Sequence, residues 1–321
     1  MANLGTSPFR PLILRLTDHP WFRALATRTR PGRALASRFV AGESLDDAIE
    51  AARQLDRRRI ASMLDHLGEN VRAPEHAADA ANAYLRALER LATQETLDIA
   101  ISIKLTQLGL DFSHELCAAH VRRILEAAEA AGTLVMIDME SSAYVDRTIQ
   151  LFREVHDDHP RVGLCLQAYL RRSERDVFHL PPGSRIRLVK GSYLEEPDLA
   201  FGSKREVDES YARLFTTLWA RGHAVDVATH DPALIEGARR MVENEPNGWS
   251  RVEFQMLYGI RRDLQIRLAR EGVPVRVYIP YGTEWYPYLT RRLAERPANL
   301  WFFLSNVVRG ARGDRGVRSE R

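Results

Sequence analysis

Short apolar runs alternate with amphipathic segments through the middle of the chain. Seven runs are rich in β-branched and other apolar residues: 98–103, 133–138, 162–168, 185–189, 224–228, 251–257 and 275–280. Between most of these runs apolar residues recur at helical spacing, which predicts amphipathic helices there. The runs follow one another at intervals of roughly 25–40 residues, so the pattern predicts repeated strand–helix units and a parallel sheet.

The number of strands decides between an open sheet and a closed barrel. A (β/α)8 barrel needs eight strands, and the eighth candidate is 60–67, IASMLDHL, whose pattern fits a helix as well as a strand. Gly132, Gly222 and Gly272 each stand just before a run, where a glycine closes a helix in the left-handed conformation. No linker interrupts the series. We therefore expect an α/β fold with one (β/α)8 TIM-type barrel over 59–308.

Residues 1–58 are predicted to form short helices packed on the barrel. One helix start is expected at 18–21, where proline takes the first helical position. A second start is expected at Ser44, with Asp47 three residues later completing a capping box. The apolar residues that follow recur at helical spacing: Leu45, Ala48, Ile49, Ala52 and Leu55. At the other end, residues 309–321 are polar and rich in Gly and Arg, which predicts a disordered tail.

The composition excludes several classes of protein. The 321-residue chain is 45% hydrophobic and 28% charged, a balance typical of soluble globular proteins. It contains no run of about 18 uncharged apolar residues, so no membrane-spanning helix is expected. Its two cysteines, Cys117 and Cys165, cannot form a disulfide framework or a structural zinc site, which favours a reducing, cytoplasmic setting. A net charge of +3 does not indicate a nucleic-acid partner.

Common nucleotide and metal motifs are absent from the sequence. No two glycines stand two residues apart and no glycine precedes a lysine, so neither a G-x-G-x-x-G fingerprint nor a P-loop is present. An H-E-x-x-H motif is absent as well. His156 and His159 flank two aspartates in a polar turn, and we expect them to be solvated rather than to bind metal.

The basic residues are divided unevenly between the two types. Of 46 Lys and Arg residues only three are lysine: Lys104, Lys190 and Lys204. A GC-rich genome explains the excess of arginine, but a retained lysine is informative because arginine cannot replace it in a tight site. Lys104 and Lys190 end apolar runs, where a site role and a structural role explain them equally well. Lys204 lies in a polar stretch and is expected to be solvated.

Polar side chains stand at the ends of successive strands, where barrel enzymes place their chemistry. They include Lys104, Asp138, Glu140, Gln167, Lys190, Thr229, His230, Gln255 and Tyr278. A single buried Lys or Asp is more often structural. Ionisable or amide groups at five successive strand ends, however, would each need a partner when buried. A ligand at this end of the barrel would supply those partners, so the pattern predicts a binding site.

The segment 288–295, YLTRRLAE, places several functional groups on one helical face. Arg291 and Arg292, flanked by Tyr288 and Glu295, form a candidate carboxylate clamp, because a guanidinium group binds a carboxylate bidentately. The same spacing is also typical of a solvated array of ion pairs on a helix surface. The residues alone leave both interpretations open.

Eight ordered motifs together resemble the proline dehydrogenase family, also called proline oxidase. They are SIKL (102–105), IDME (137–140), LQAYL (166–170), RLVKGSYLE (187–195), ATHD (228–231), EFQMLYG (253–259), RVYIPYG (276–282) and YLTRRLAE (288–295). The resemblance covers about 35–308 and fits the compact monofunctional bacterial enzymes. It implies a distorted barrel with its last helix over the barrel mouth, a first strand in IASMLDHLGE (60–69), and FAD held noncovalently at the strand ends.

The resemblance also implies a role for each matching residue. Asp138 and Arg187 would form the polar pair of the active site, with Arg187 near the flavin. The implied substrate-binding residues are Lys104, Leu257, Tyr278, Tyr288, Arg291 and Arg292, with Glu295 orienting an arginine through an ion pair. The implied FAD contacts are Met139, Gln167, Arg187, Lys190, Gly191, Ser192, Thr229 and His230. Because three cations around one carboxylate repel one another, we expect the pKa of Lys104 to be lowered.

The implied reaction is the oxidation of L-proline to Δ1-pyrroline-5-carboxylate, the first step of proline catabolism to glutamate. Hydride would pass to flavin N5 and the electrons to a membrane quinone, so a cytoplasmic enzyme would visit the inner face of the membrane. Ser192, Leu194, Asp231 and Arg296 depart from the residues usual in the family, which bears on flavin affinity more than on the reaction. Two other functions stay open: a lyase or aldolase forming a Schiff base with a strand-end lysine, and a degenerate barrel serving as a binding protein.

Overall fold

The computed structural model describes His19, residues 29–94 and residues 96–295. Within this part, eight parallel strands form a closed barrel in which each strand neighbours the next in sequence. The strands are β1 Ala61–His66, β2 Ile99–Ile103, β3 Val135–Ile137, β4 Val162–Gln167, β5 Arg185–Val189, β6 Ala224–Ala228, β7 Val252–Leu257 and β8 Val275–Tyr281. Pairing of β1 with β8, from Ala61 opposite Arg276 to His66 opposite Tyr281, closes the ring.

Helices precede the barrel and follow its strands. They are α1 Arg30–Phe39, α2 Leu45–Asp56, α3 Pro74–Ala92, α4 His114–Ala130, α5 Val145–His156, α6 Ser173–Asp176, α7 Lys204–Ala220, α8 Pro232–Glu243, α9 Arg262–Arg270 and α10 Trp285–Glu295. Short 3-10 turns lie at Ser142–Tyr144, Val177–His179 and Gly248–Arg251. The architecture is the (β/α)8 barrel that the alternating pattern predicts, with helices before its first strand and α10 after its last.

The strand predictions are confirmed for all seven apolar runs, and the ambiguous segment 60–67 contains β1. Gly132, Gly222 and Gly272 have φ angles of 67°, 82° and 80°, so each takes the left-handed conformation expected at a helix end. The helix start expected at 18–21 and the tail expected at 309–321 lie outside the described residues, apart from His19.

The capping box at the start of α2 is confirmed. The Ser44 hydroxyl oxygen accepts a hydrogen bond from the Asp47 backbone N–H at 3.2 Å, and the Asp47 carboxylate accepts one from the Ser44 N–H at 3.0 Å. These two bonds satisfy donors that the first turn of a helix otherwise leaves unpaired. Hydrogen bonds from Ser44 lower the pKa of Asp47.

The main hydrophobic core lies between the outer face of the barrel and its helices. Strand residues such as Ile101, Leu164 and Val227 are fully buried there, and α2 contributes Ala48 and Ile49 to the same core. Burying a large aliphatic side chain stabilises a fold by about 1.5–3 kcal/mol. The helix before the first strand is therefore held on the barrel by the same burial that holds the later helices.

The interior of the barrel is polar along β5–β8. Side chains alternate along a strand, so Arg185 shares the inner face with Arg187, two residues further on. Arg185 lies 2.7 Å from Asp226 and 3.5 Å from Glu253, and Arg276 lies 2.8 Å from Glu253. Many barrels fill this space with branched apolar side chains. Here ion pairs fill the part of the interior that lies toward the amino-terminal ends of the strands.

The two histidines of the polar turn are only partly exposed, 15% for the His156 side chain and 11% for that of His159, so the expectation that they are solvated is met only in part. His159 Nδ1 lies 2.9 Å from a Glu129 carboxylate oxygen, and His156 Nε2 lies 3.4 Å from the Ser184 hydroxyl. The turn packs against neighbouring elements, which supply these partners. Across the described residues, no group of three or more His, Cys, Asp or Glu side chains is arranged to hold a metal ion.

Candidate active site

A cavity of about 540 Å³ opens at the carboxyl-terminal ends of the strands, next to α10. Barrel enzymes place their sites at this end, and the volume is that of a small-molecule site. Fifteen of the sixteen residues implicated by the resemblance line it: Lys104, Asp138, Met139, Gln167, Arg187, Lys190, Gly191, Ser192, Thr229, His230, Leu257, Tyr278, Tyr288, Arg291 and Arg292. The sixteenth, Glu295, has its side chain outside the described part of the structure. Their individual roles stay predictions.

Lys104 lies at the end of β2 between two carboxylates. Its ammonium nitrogen is 2.5 Å from Asp65 Oδ1 and 3.3 Å from Asp138 Oδ2, and its side chain is 8% exposed. Burial opposes the charged amine, but the negative charge of Asp65 outweighs it and holds the pKa of Lys104 well above its usual value. The expectation of a lowered pKa is therefore wrong, because it counted neighbouring cations and missed the carboxylate on β1.

Asp138 accepts hydrogen bonds from several side chains on the cavity floor. The Ser102 hydroxyl donates at 2.6 Å and the Tyr278 hydroxyl at 2.8 Å, and Arg187 forms a close ion pair with the same carboxylate. The Lys104 ammonium lies 3.3 Å from the same carboxylate. With its oxygens engaged in this way, the Asp138 carboxylate is suited to orienting cations rather than to removing a proton from a substrate.

Arg187 crosses the barrel interior beneath the cavity. Its guanidinium also approaches the Ser102 hydroxyl at 3.1 Å and the Met63 sulfur at 3.2 Å, and lies 5.2 Å from the centre of the Tyr278 ring. Burial lowers the pKa of Arg187, although it stays a cation at any physiological pH. The fixed position of this cation places a positive charge and N–H donors under the cavity.

The helix α10 covers the same end of the cavity. Arg291 lies 2.7 Å from Glu69, which follows β1, and Arg292 stacks 5.3 Å from the centre of the Tyr288 ring. Burial opposes the charge of Arg291, but Glu69 outweighs it and raises the pKa of this guanidinium. The face of α10 that carries the two arginines therefore turns toward the cavity rather than toward open solvent.

Charged side chains are concentrated around this part of the cavity. Four cations line it, Lys104, Arg187, Arg291 and Arg292, and so do the carboxylates of Asp65, Glu69, Asp138 and Glu195. The lining charges balance, so a ligand carboxylate would be bound by the N–H donors of the cations rather than by a surplus of positive charge. Charge-assisted hydrogen bonds to such a group contribute about 1.5–3 kcal/mol each.

A second group of charges lies at the opposite end of the cavity, at the amino terminus of α7. Lys190 is 2.5 Å from Asp208 and 2.9 Å from Asp231, and Lys204 is 2.8 Å from Asp231 and in close contact with Asp208. Burial opposes ionisation of Asp231, but hydrogen bonds from Lys204 and Lys190 lower its pKa to about 2. The expectation that Lys204 is solvated is therefore wrong.

Backbone and amide groups line the middle of the cavity. The Gln167 amide donates to the Glu140 carbonyl at 2.6 Å, which fixes the orientation of its side chain at the end of β4. His230 accepts a hydrogen bond from the Leu257 backbone N–H through Nε2 at 3.1 Å. In the neutral ring the proton is therefore on Nδ1.

The comparison with known proteins decides the family. A sequence model described as "Proline dehydrogenase" matches residues 48–304, which is most of the chain. The chain belongs to the proline dehydrogenase family. The chain is also 38% identical over 287 residues to "Proline dehydrogenase 1" of Bacillus subtilis subsp. natto, covering 89% of this chain and 94% of that protein. It is 39% identical over 308 residues to "Proline dehydrogenase" of Deinococcus radiodurans, covering 94% of this chain and 98% of that one.

The fold is shared with a much longer protein. The proline utilization A (PutA) protein of Bdellovibrio bacteriovorus, solved after inactivation by N-propargylglycine, matches with a TM-score of 0.75. The sequences are 22% identical, and the match covers 91% of this chain but only 39% of that one. This proline dehydrogenase therefore has the barrel of the longer proteins and a length like that of the compact bacterial enzymes, as the motifs indicate.

Sequence patterns did not indicate a site role for four charged residues of this site, Asp65, Glu69, Lys204 and Asp208. Asp65 lies in the one apolar run whose secondary structure was ambiguous, and Glu69 lies in a loop that belongs to none of the eight motifs. Lys204 has Asp208 four residues further along α7, and this i,i+4 spacing was visible in the sequence. Its second partner, Asp231, comes from another strand–helix unit, which no local pattern shows.

Proposed function

We propose that this proline dehydrogenase oxidises L-proline to Δ1-pyrroline-5-carboxylate with noncovalently bound FAD and passes the electrons to a membrane quinone. The observation that carries the proposal is the convergence of Lys104 from β2 and of Arg291 and Arg292 from α10 on one end of a single cavity. The N–H donors of these three side chains suit the one carboxylate of proline. This step would begin the catabolism of proline to glutamate.

The walls around the charged end suit the proline ring. Leu257, Tyr278 and Tyr288 line the cavity beside the arginines and supply apolar surface. In the proposal, Lys104, Arg291 and Arg292 bind the carboxylate while these side chains hold the ring in one orientation. Fixing the reacting atoms in this way can lower a reaction barrier by several kcal/mol, and by up to about 7–11 kcal/mol in the best-oriented systems.

The cavity fits a flavin dinucleotide at two places. The Gln167 amide nitrogen donates to the Glu140 carbonyl, and this bond fixes the side chain at the end of β4. The Gln167 amide oxygen could then accept a hydrogen bond from the flavin. At the far end, Ser203 caps α7, and Lys190 and Lys204 stand beside this helix terminus. A helix amino terminus favours an anionic diphosphate, and the two lysines, held in place by Asp208 and Asp231, would supply N–H donors to it. When bound, FAD would supply the hydride acceptor of the reaction.

The residues proposed to hold FAD lie along the cavity between its two charged ends. They are Met139, Gln167, Arg187, Lys190, Gly191, Ser192, Thr229 and His230. To these we add Lys204, because it shares Asp208 and Asp231 with Lys190. The chain itself supplies orientation and charge, and Arg187 with Asp138 would fix the polar floor below the reacting groups.

The electron acceptor is proposed to be a quinone of the membrane. None of the described helices combines the length and apolar character needed to cross a bilayer. The proposal therefore needs a peripheral contact of a cytoplasmic enzyme with the inner face of the membrane. The Arg-rich stretch 9–30 is the candidate contact, because basic side chains are attracted to anionic lipids. Nearly all of it lies outside the described residues.

A Schiff-base lyase is disfavoured by the environment of Lys104. Formation of a Schiff base needs an uncharged amine, whereas Asp65 keeps the pKa of Lys104 well above its usual value. Lys190 is likewise paired with two carboxylates. The lysines at the strand ends are thus better suited to binding anions than to forming covalent adducts with carbonyl compounds.

Purification followed by a dye-reduction assay tests the proposed function. The protein should carry FAD that heat or acid releases intact, and it should reduce an artificial electron acceptor when L-proline is added. Covalently retained flavin would contradict the cofactor assignment. An adduct trapped on Lys104 by borohydride in the presence of a carbonyl substrate would favour the lyase, and flavin-loaded protein inert toward proline would favour a binding protein.

A further inference from the structure

The loop between β5 and α7, residues 190–203, forms one wall of the cavity, and Glu195 attaches it to another part of the barrel. One Glu195 carboxylate oxygen accepts a hydrogen bond from the Ser142 backbone N–H at 2.8 Å. The other oxygen accepts a close hydrogen bond from the Ser142 hydroxyl. The Tyr169 hydroxyl lies 3.4 Å from the first oxygen. One side chain thus meets three donors.

These donors come from segments that follow two other strands. Ser142 begins the 3-10 turn after β3, three residues beyond the cavity residue Met139. Tyr169 follows β4 and lines the cavity itself. Glu195 therefore joins the segments that follow β3, β4 and β5, three neighbouring strands of the barrel. No local sequence pattern shows the connection, because Ser142 is 53 residues away from Glu195.

The loop is also fixed on each side of Glu195. At its start, Gly191 has a φ of 111°, and a Cβ there would lie 2.0 Å from the Tyr169 ring, so the backbone packs directly on that ring. At its end, Ala200 pairs with Leu170, and the Phe201 N–H donates to the Tyr169 carbonyl at 2.8 Å. These contacts all lie on the β4 side. Glu195 supplies the attachment on the β3 side.

The segment held in this way carries Tyr193 into the charged end of the cavity. Tyr193 is two residues before Glu195 and lines the cavity with Arg291 and Glu69. Burial, and then the charge of Glu69, raises the pKa of Tyr193 well above its usual value, which agrees with a ring enclosed beside that ion pair. Leu194, between the two, is 64% exposed, so its side chain contributes little to holding the turn.

We propose that Glu195 is a positioning residue, which holds the β5–α7 loop so that Tyr193 closes the proline-binding end of the cavity. The inference takes its substrate, L-proline, from the proposed function. The contacts of Glu195 are present whatever the substrate is. Glu195 transfers no proton and meets neither substrate nor flavin in this account. Its loss should loosen the wall beside the arginines and weaken proline binding more than it slows turnover.

The adjacent glutamate provides a matched control. Glu196 has the same side chain and is exposed. Its backbone carbonyl accepts hydrogen bonds from the N–H groups of Leu199 and Ala200, and a change to alanine keeps that carbonyl. We expect Glu195→Ala to raise the KM for L-proline about five- to thirtyfold, the scale of losing charge-assisted hydrogen bonds at a partly exposed site. The kcat should change less than about threefold. Glu196→Ala should leave both constants at the wild-type values.

Hydrogen exchange gives a readout that does not depend on activity. In Glu195→Ala the Ser142 amide loses its acceptor, so amides of 142–144 and 191–195 should exchange faster than in the wild type and in Glu196→Ala. If the wild type does not oxidise proline, the proposed function fails, while the exchange experiment still decides whether Glu195 holds the loop. Unchanged exchange in Glu195→Ala would overturn the proposal.

The milder variant Ser142→Ala removes one of the bonds without altering the loop sequence. It should raise the KM in the same direction as Glu195→Ala, and the double variant should be no worse than Glu195→Ala alone, because both changes break one contact. Ser142→Ala also decides the matter if Glu195→Ala does not fold. Equal KM values for Glu195→Ala and Glu196→Ala, fully additive effects, or a wild-type KM in Ser142→Ala would each overturn the proposal.

Discussion

At the residue scale, the site consists of ion pairs rather than of isolated cations. Lys104 is paired with Asp65, and Arg291 with Glu69. Each carboxylate keeps its partner charged and fixes its position before any ligand arrives. A substrate carboxylate therefore meets preoriented donors, and the binding energy is not spent on ordering long side chains.

The retained lysine at position 104 gives a prediction at this scale. In Lys104→Arg the charge is kept, but the larger planar guanidinium has to fit a buried position between Asp65 and Asp138. We expect it to displace the proline ring, raising the KM and lowering kcat, since a shift of about 1 Å costs up to ~100-fold. Steady-state kinetics beside Lys104→Met, with FAD content measured in both, would check this. A wild-type kcat/KM in the arginine variant would show that charge alone matters there.

At the scale of elements, α10 decides what the cavity can bind. The spacing of 288–295 predicted that Tyr288, Arg291 and Arg292 share a face, and the structure turns that face to the cavity. The sequence could not choose between a clamp and a solvated array, because the choice depends on what the helix packs against. Two features hold α10 in place: Leu289 is fully buried, and the Trp285 indole N–H donates to a Glu43 carboxylate oxygen at 3.1 Å.

Arginine variants on α10 test the clamp. Arg291→Met and Arg292→Met should each raise the KM for L-proline about ten- to a hundredfold, the loss expected for one charge-assisted hydrogen bond of roughly 1.5–3 kcal/mol. FAD content should stay near that of the wild type. Glu284→Gln, an exposed charge change just before the helix, is the control and should leave the KM unchanged. Wild-type proline affinity in either arginine variant would mean that the face is only a set of surface ion pairs.

At the scale of the whole molecule, the fold was predictable where a pattern repeats. Strands of a parallel barrel are buried on both faces, so they appear as apolar runs, and seven of eight were found in this way. The eighth strand, β1, has the polar residues Ser62 and Asp65 at buried positions, so its sequence is not a continuous apolar run. Ion pairs between neighbouring strands, such as Arg185 on β5 with Asp226 on β6, depend on strand register and cannot be found from local spacing.

The polar interior makes stability depend on pH. Burial raises the pKa of Asp226 to about 6, against about 3.9 for an unfolded aspartate. Between these values the folded state binds more protons than the unfolded state, so this group lowers the free energy of unfolding as the pH rises from about 4 to 6. Urea unfolding at several pH values should be measured for Asp226→Asn and for the wild type. Between about pH 4 and 6 the free energy of unfolding of the variant should rise relative to that of the wild type, and above this range the difference should stay constant. A difference independent of pH would contradict the interpretation.

The central claim is that this barrel binds FAD and oxidises L-proline, and anaerobic flavin reduction tests it most directly. L-proline mixed with the purified protein, without any other electron acceptor, should bleach the oxidised-flavin absorbance in a single turnover and release Δ1-pyrroline-5-carboxylate in equal amount. The rate of flavin reduction should saturate as the proline concentration rises, and Arg292→Met should need a higher proline concentration to reach half of its maximal rate. Protein that carries FAD but keeps its oxidised spectrum at saturating L-proline would contradict the account.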